Sequence, residues 1–146
     1  MAQSKLALPL AEMRGPWVTN RQNYDGAMCK THGWVRVNSR YYDMIAYGLK
    51  VENKKIKIGC STFVNLVVYA EMKVNPELAQ SITNFMIYTG DRIIEYYIVD
   101  TAKLVDYLIP NTELAELILL EHKLFHGKNR NQYSITIKEI KKLAGV

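Results

Sequence analysis

The sequence contains 146 residues, the length of one ordinary domain with a core of its own. Apolar residues make up 49% of the chain and charged residues 23%, which excludes a disordered tail or a fibrous repeat. No apolar stretch reaches the roughly 18 to 20 residues of a membrane span, and residues 1–10 lack the apolar segment and cleavage site of a secretory signal. We therefore expect a single domain, residues 1–146, that is intracellular and has no membrane partner.

The charge balance is compatible with a polyanionic partner. The chain has 19 Lys and Arg against 14 Asp and Glu, so its net charge is +5 and its isoelectric point is near 9.1. Such an excess of basic side chains favours nucleic acid as a ligand. The two cysteines, Cys29 and Cys60, form no CxxC pair, which excludes a disulfide framework or a zinc knuckle.

The first elements in chain order are helical and then extended. Residues 1–16 form an arm or a short helix, because Arg14-Gly15-Pro16 ends any helix that precedes it. The pattern predicts a helix over Thr19–His32, with Gly33 as its stop residue. Two strands follow, at Trp34–Val37 and Arg40–Val51, where aromatic and branched side chains dominate.

The middle of the chain predicts a turn, two strands and a helix. The polar residues Glu52–Lys55 indicate a turn, and Ile56–Ile58 a return strand. Phe63–Val74 is the most strand-like segment in the chain, so we expect it at the centre of the sheet. Asn75 as N-cap and Pro76 at the first helical position predict a helix that reaches about Tyr88 and ends at Gly90.

The last third of the chain is mainly helical. Arg92–Val99 predicts a strand, and the periodicity then predicts helices over Thr101–Leu108, Glu113–Phe125 and Ile137–Leu143. Thr136 and Glu139 have the spacing of a capping box before the last helix. The order of elements predicts a mixed α/β or α+β fold, with a central mixed sheet and flanking helices.

Three charged residues stand in otherwise apolar segments and suggest a site. Alternation along the predicted Phe63–Val74 strand brings Glu71 and Lys73 to one face, at the end of the strand. Asp43 interrupts an aromatic run, where a carboxylate needs a partner, a metal or a shifted pKa. If the two strands are neighbours, Asp43 and Glu71 can hold Mg²⁺ or Mn²⁺, and Lys73 can position or activate a water molecule.

From Thr19 to Asp100, these residues and elements resemble the PD-(D/E)XK nuclease superfamily, which includes Holliday junction resolvases and homing endonucleases. The resemblance rests on Asp43, the triplet Glu71-x-Lys73 and the order αβββαβ of a restriction-endonuclease-like core. It divides the chain into an N-terminal arm (1–16), a nuclease-like core (17–100) and C-terminal helices (101–146). It implies a Mg²⁺-dependent endonuclease that cuts DNA at junctions or specific sites, with Asp43 and Glu71 as metal ligands, Lys73 as a catalytic residue and a homodimer or higher homo-oligomer as the assembly.

Further residues are candidates for contacts with substrate. Ser39, Arg40 and Gln80 are second-rank site candidates, because we expect them near Asp43 and Glu71. Contacts with DNA phosphates are expected from basic side chains in two clusters, namely Lys50, Lys54, Lys55, Lys57, Lys128 and Arg130.

The same residues also allow other interpretations. Asp43 could form an ordinary ion pair with Arg40 or Lys73, and the Glu71–Lys73 pair could be solvated. His122 and His126 have the spacing of zinc ligands on one helix face, but no third ligand is evident. A different class of function is a non-catalytic DNA-binding or assembly protein of a virus or mobile element, which would use the same basic surfaces. An intracellular protein that binds DNA is cytoplasmic or nucleoid-associated.

Overall fold

The structure is a computed structural model that describes residues 2–19, 24–125 and 131–146. Its α-helices are α1 (Ala2–Ala11), α2 (Tyr24–His32), α3 (Leu66–Val74), α4 (Thr101–Leu108), α5 (Thr112–Phe125) and α6 (Ile137–Leu143). Its strands are β1 (Val35–Arg36), β2 (Met44–Ala46), β3 (Leu49–Lys57), β4 (Ser61–Asn65), β5 (Ile82–Thr89), β6 (Arg92–Asp100) and β7 (Gln132–Thr136). Short 3-10 helices span Pro16–Val18 and Pro76–Ala79.

A mixed sheet of five strands forms the centre of the fold, in the order β1-β2-β3-β5-β6. Strands β3 and β5 are parallel, whereas every other neighbouring pair in this sheet is antiparallel. Strands β4 and β7 form a separate antiparallel pair. The predicted class, a mixed sheet with flanking helices, is therefore confirmed. Helix α2, strands β1 to β3, helix α3 and strand β5 follow one another in the order αβββαβ, with the additional strand β4 before α3.

Two hydrophobic clusters divide the buried side chains. One cluster contains Leu10 of α1, Met28 of α2 and Met86 of β5. The other contains Phe85 of β5 together with side chains of α3 to α6, including Val67 and Ile118. Because neighbouring residues of a strand point to opposite faces, Phe85 and Met86 show that the two clusters lie on the two sides of the sheet. Helices therefore cover both faces.

The prediction of a central strand over Phe63–Val74 was wrong. Strand β4 ends at Asn65, whose side chain accepts a hydrogen bond of 3.0 Å from the N–H of Val67 and so caps α3. The segment after Asn65 is apolar at most positions, and such a run fits a helix buried on several sides as well as it fits a strand. Packing of α3 against α5 outweighs the extended preference of its valines, so Glu71 and Lys73 are helical residues.

The prediction of a turn at Glu52–Lys55 was also wrong. The turn lies earlier, at Tyr47 and Gly48, which both have positive φ angles of 53° and 75°. Two such residues form the type I′ turn whose twist suits a tight hairpin. The turn divides the predicted Arg40–Val51 strand into β2 and the start of β3, and β3 continues through Glu52–Lys55 to Lys57.

The helix predicted from Asn75 to Tyr88 is limited to one short 3-10 turn at Pro76–Ala79. Strand β5 follows, and its residues from Ile82 to Ile87 are all buried. A strand that is buried on both faces does not alternate between apolar and polar residues, which explains why the sequence pattern missed it. Gly90 lies in the turn between β5 and β6, with a φ angle of 58°.

Several predictions in the last third of the chain were correct. The helices over Thr101–Leu108 and Ile137–Leu143 are present, and α5 begins one residue before the predicted Glu113. The capping box of Thr136 and Glu139 is present, with both hydrogen bonds formed. Strand β7 was not predicted.

Helix α2 covers the later part of the predicted Thr19–His32 helix, and residues 20–23 lie outside the described residues. Across the described ranges, no helix combines the length and apolar character needed to cross a membrane.

Candidate functional site

The carboxyl groups of Asp43 and Glu52 lie at the end of the β2–β3 hairpin that is opposite its turn. The Tyr47-Gly48 turn sets the register of β2 and β3, in which Met44 lies opposite Val51. Asp43 directly precedes Met44 and Glu52 directly follows Val51, so the two acids lie close together where the hairpin opens. The N–H of Asp43 donates to the carbonyl of Val51 at 2.8 Å, which fixes this end of the hairpin. The two side chains are near enough to each other that Asp43 raises the pKa of Glu52.

The environment of this pair opposes two negative charges. Burial, the hydrogen bond to Asp43 and the charges of Asp43 and Asp25 all raise the pKa of Glu52, and the ammonium group of Lys54 partly opposes the shift. Burial, and then the charges of Glu52 and Asp43, raise the pKa of Tyr69 on α3. The raised pKa favours the protonated form of Glu52 unless a cation replaces that proton.

Asn53 connects the acid pair to α2. Its backbone N–H donates to Oδ2 of Asp43 at 2.7 Å, and its side-chain amide donates to Oδ1 of Asp25 at 3.1 Å. The amide of Asn84 on β5 donates to Oδ1 of Asn53 at 3.3 Å. Burial and the charge of Asp43 raise the pKa of Asp25, although the hydrogen bond from Asn53 and the charge of Arg36 oppose this rise. One residue therefore holds two carboxyl groups from different elements.

Lys54 completes an E-x-K triplet on β3. Because side chains alternate along a strand, Glu52, Lys54 and Ile56 share the face that is packed by α3, and Asn53 points to the opposite face. Asp43 and Lys54 line two different clefts. One, of about 540 Å³, is lined by Asp25, Arg36 and Asp43, together with residues 37–39. The other, of about 730 Å³, is lined by residues that include Lys54, Lys55 and Lys57.

The Glu71-x-Lys73 triplet, which the sequence suggested, has other partners. Glu71 accepts a hydrogen bond of 2.7 Å from Nε of Arg40, and Nζ of Lys73 donates to Oδ1 of Asp106 at 2.9 Å. No hydrogen bond or ion pair found in residues 2–19, 24–125 and 131–146 joins either residue to Asp43. On α3 the two side chains are no longer aligned as they would be on a strand.

The second-rank candidates Ser39, Arg40 and Gln80 lie in three different places. Ser39 lines the same cleft as Asp43, and its hydroxyl accepts a hydrogen bond of 3.2 Å from the N–H of Tyr41. Arg40 is the partner of Glu71. Gln80 lies in a separate depression, together with Lys50. The structure thus brings Ser39, but not Gln80, to the acid pair.

The predicted phosphate contacts are partly described. Lys50 lies over the ring of Tyr42 at 5.4 Å, Lys55 donates to the carbonyl of Val18 at 2.7 Å, and Lys57 is exposed. Lys54 belongs to the site itself. Lys128, Arg130 and His126 lie outside the described residues, so His122 on α5 is the one member of the histidine pair with a described position.

Sequence reasoning missed Glu52 and Asp25, and it predicted for Lys54 only a contact with DNA phosphate. The spacing contains a signal that could have found the triplet, because Glu52-Asn53-Lys54 follows Asp43 after only nine positions, with Gly48 between them. A glycine inside an apparent strand suggests a turn, and a turn there makes Asp43 and Glu52 neighbours. Asp25 was not predicted, because its link to Asp43 runs through Asn53 and is a tertiary contact.

The composition of this site fits a hard divalent cation. Mg²⁺ is commonly bound by one or two carboxylates, with water and phosphate oxygens as its other ligands. Asp43 and Glu52 provide two such groups. Within the described part of the chain, no set of three or more His, Cys, Asp and Glu side chains has an arrangement suited to a metal. No model of a known protein family matches the sequence, and no curated protein matches it significantly.

Proposed function

We propose that this protein is a metal-dependent endonuclease that hydrolyses DNA phosphodiester bonds. The observation that carries the proposal is the closeness of the Asp43 and Glu52 carboxyl groups where the β2–β3 hairpin opens, with Lys54 two positions after Glu52 on the same face of β3. The order αβββαβ supports it, because the PD-(D/E)XK nucleases that the chain resembles carry their acidic residues and Lys on the second and third strands of this order. The proposed triplet is therefore Glu52-x-Lys54 rather than Glu71-x-Lys73.

The residues of the chain have separate roles in this proposal. Asp43 and Glu52 would hold Mg²⁺ or Mn²⁺, and the cation would take the place of the proton on Glu52. When bound, the cation polarises the phosphoryl oxygen and balances the charge that develops during displacement. The Lys54 side chain is on the same face of β3 as Glu52. From there its ammonium group can stabilise negative charge at phosphorus or hold a water molecule. The Asn53 N–H keeps the Asp43 carboxyl group oriented.

Basic side chains next to the triplet support DNA as the substrate. The cleft of about 730 Å³ continues from Lys54 to Lys57 and includes polar side chains of β4. Such a groove suits a phosphate backbone, and the net charge of +5 would favour association at low salt. An intracellular location, cytoplasmic or nucleoid-associated, and a homo-oligomeric assembly are parts of the same proposal.

Cleavage assays test the proposal directly. We expect the purified protein to nick supercoiled plasmid or cut a labelled four-way junction with Mg²⁺ or Mn²⁺, and to bind these substrates without cutting them in Ca²⁺. Glu52→Gln should lower the cleavage rate by at least about 100-fold, because the pair loses one ligand charge at nearly constant shape. The variant should retain DNA binding, as measured by fluorescence anisotropy in Ca²⁺.

A second function class uses the same basic surface without chemistry. A non-catalytic DNA-binding or assembly protein of a virus or mobile element would need the cleft with Lys54 and Lys57 but not the acid pair. Tight DNA binding without cleavage on plasmid, duplex and junction substrates, with each of Mg²⁺ and Mn²⁺, would favour that class. Absence of both binding and cleavage would reject both functions.

A further inference from the structure

Helix α5 has apolar side chains on two opposite faces. Ala115 and Ile118 are buried in the cluster that includes α3. The outward face carries four leucines, and their exposed fractions are 37% for Leu114, 60% for Leu117, 53% for Leu120 and 62% for Leu124. A helix on the surface of a monomer normally presents polar side chains on its outer face. The outward leucines of α5 therefore form an apolar surface suited to contact with another chain.

These leucines follow the spacing of a coiled-coil seam. Leu117 and Leu124 are seven positions apart and occupy the a positions of a heptad, with Leu120 at the d position between them. Glu113, at the other d position, lies in the first turn of the helix, where it can reach solvent. Helix α5 has 14 residues, which corresponds to a length of roughly 21 Å at 1.5 Å per residue.

The charged residues beside the seam select one orientation of a second copy. Glu116 and Lys123 are both exposed and both occupy g positions, on the same flank of the seam. In an antiparallel pair of helices each g position faces a g position of the other helix, so Glu116 would meet Lys123 of the partner subunit, twice by symmetry. A parallel pair would instead bring Glu116 beside Glu121 of the partner subunit, and like charges would repel.

We propose that a second copy of this chain docks on the outward face of α5, with the two helices antiparallel about a two-fold axis near Ile118 and Leu119. Leu117 of each copy then packs against Leu120 of the partner subunit in the two central layers. On the other flank, Leu114 faces Glu121 of the partner subunit, so this orientation brings no like charges together. The proposal does not depend on the nuclease activity.

Sedimentation equilibrium tests the surface. Between about 1 µM and about 200 µM the protein should change from monomer to dimer, with a dissociation constant on the order of 10 µM for so short a seam. Leu117→Gln should keep the protein monomeric over this range. Leu8→Gln is the matched control, since Leu8 is an exposed helical leucine of α1, and it should leave the dimer unchanged.

Charge exchange tests the orientation. Glu116→Lys and Lys123→Glu should each weaken the dimer by about tenfold or more, since each replaces two attractive pairs by two repulsive ones. The double variant should recover the dimer, because the pairs form again with exchanged signs. A monomer at every concentration, an assembly that Leu117→Gln leaves intact, or a double variant that is weaker than both single variants would each overturn the proposal.

Discussion

Asn53 offers a test of the site that leaves its charged groups in place. Asn53→Ala removes the donor of the 3.1 Å hydrogen bond to Asp25 and the acceptor of the 3.3 Å hydrogen bond from Asn84. A hydrogen bond to a charged group contributes about 1.5 to 3 kcal/mol and a neutral one about 0.5 to 1.5 kcal/mol. Both bonds are at the long end of the usual range, so we expect the free energy of unfolding to fall by about 2 to 3 kcal/mol.

The buried amide of Asn84 adds to this loss. Asn84 is 0% exposed, and its Oδ1 atom already has no hydrogen-bond partner among the described residues. Without the Asn53 side chain, the Nδ2 group of Asn84 would also be unpaired. The expected loss of unfolding free energy is therefore near about 3 kcal/mol. For a protein of this size, a loss of 2 to 3 kcal/mol lowers the melting temperature by roughly 5 to 10 °C.

Chemical denaturation with urea and a cleavage assay measure the two consequences separately. The backbone N–H of Asn53 is retained in the alanine variant, so Asp43 stays oriented and cleavage should fall much less than in Glu52→Gln. Asn38→Ala is the matched control, because Asn38 is exposed, and its stability should change by less than about 0.5 kcal/mol. Equal stability losses in the two variants would refute the hydrogen-bonded connection between α2 and β5.

Three further predictions concern the acids and the helix ends. Burial raises the pKa of Glu139, but hydrogen bonds from Tyr107, Tyr133 and Thr136 lower it to about 2. Ionised Glu139 therefore stabilises the folded protein above its unfolded pKa, and this stabilisation is lost as the pH falls from about 4.5 to 2. Acid titrations followed by circular dichroism should therefore show a smaller loss of stability over this range for Glu139→Gln than for the wild type. Asn65→Ala should destabilise the protein by about 1 kcal/mol in urea denaturation, since α3 loses its N-cap. Mn²⁺ should raise the melting temperature of the wild type but not of Asp43→Asn, and an equal rise in both would remove Asp43 from the metal site.

The fold class and the C-terminal helices could be predicted from local features of the sequence. The capping box of Thr136 and the amphipathic spacing around Leu104 are local, so distant parts of the chain do not change them. Strand β5 and helix α3 are different, because each is buried on more than one side. For such segments the pattern of apolar residues is nearly continuous, and the choice between strand and helix depends on packing partners.

One member of the site could be predicted and the others depended on register. Asp43 stood out because a carboxylate in an aromatic run needs a partner. Glu52 was not predicted, because the position of one turn, at Tyr47 and Gly48, decides which residues of β3 come near Asp43. A shift in a turn changes the residues of the whole adjacent strand face. Asp25 could not be predicted from local sequence, because only the tertiary hydrogen bond from Asn53 connects it to the site.

The most direct test of the proposed active site compares the two E-x-K triplets within one chain. Cleavage of supercoiled plasmid with Mn²⁺ would be measured for Glu52→Gln and Lys54→Ala and, as matched changes on α3, for Glu71→Gln and Lys73→Ala. The site on β3 predicts that the first two variants lose at least about 100-fold in rate, while the α3 variants stay within about threefold of the wild type. Loss of cleavage in the α3 variants, with full activity of the β3 variants, would contradict it.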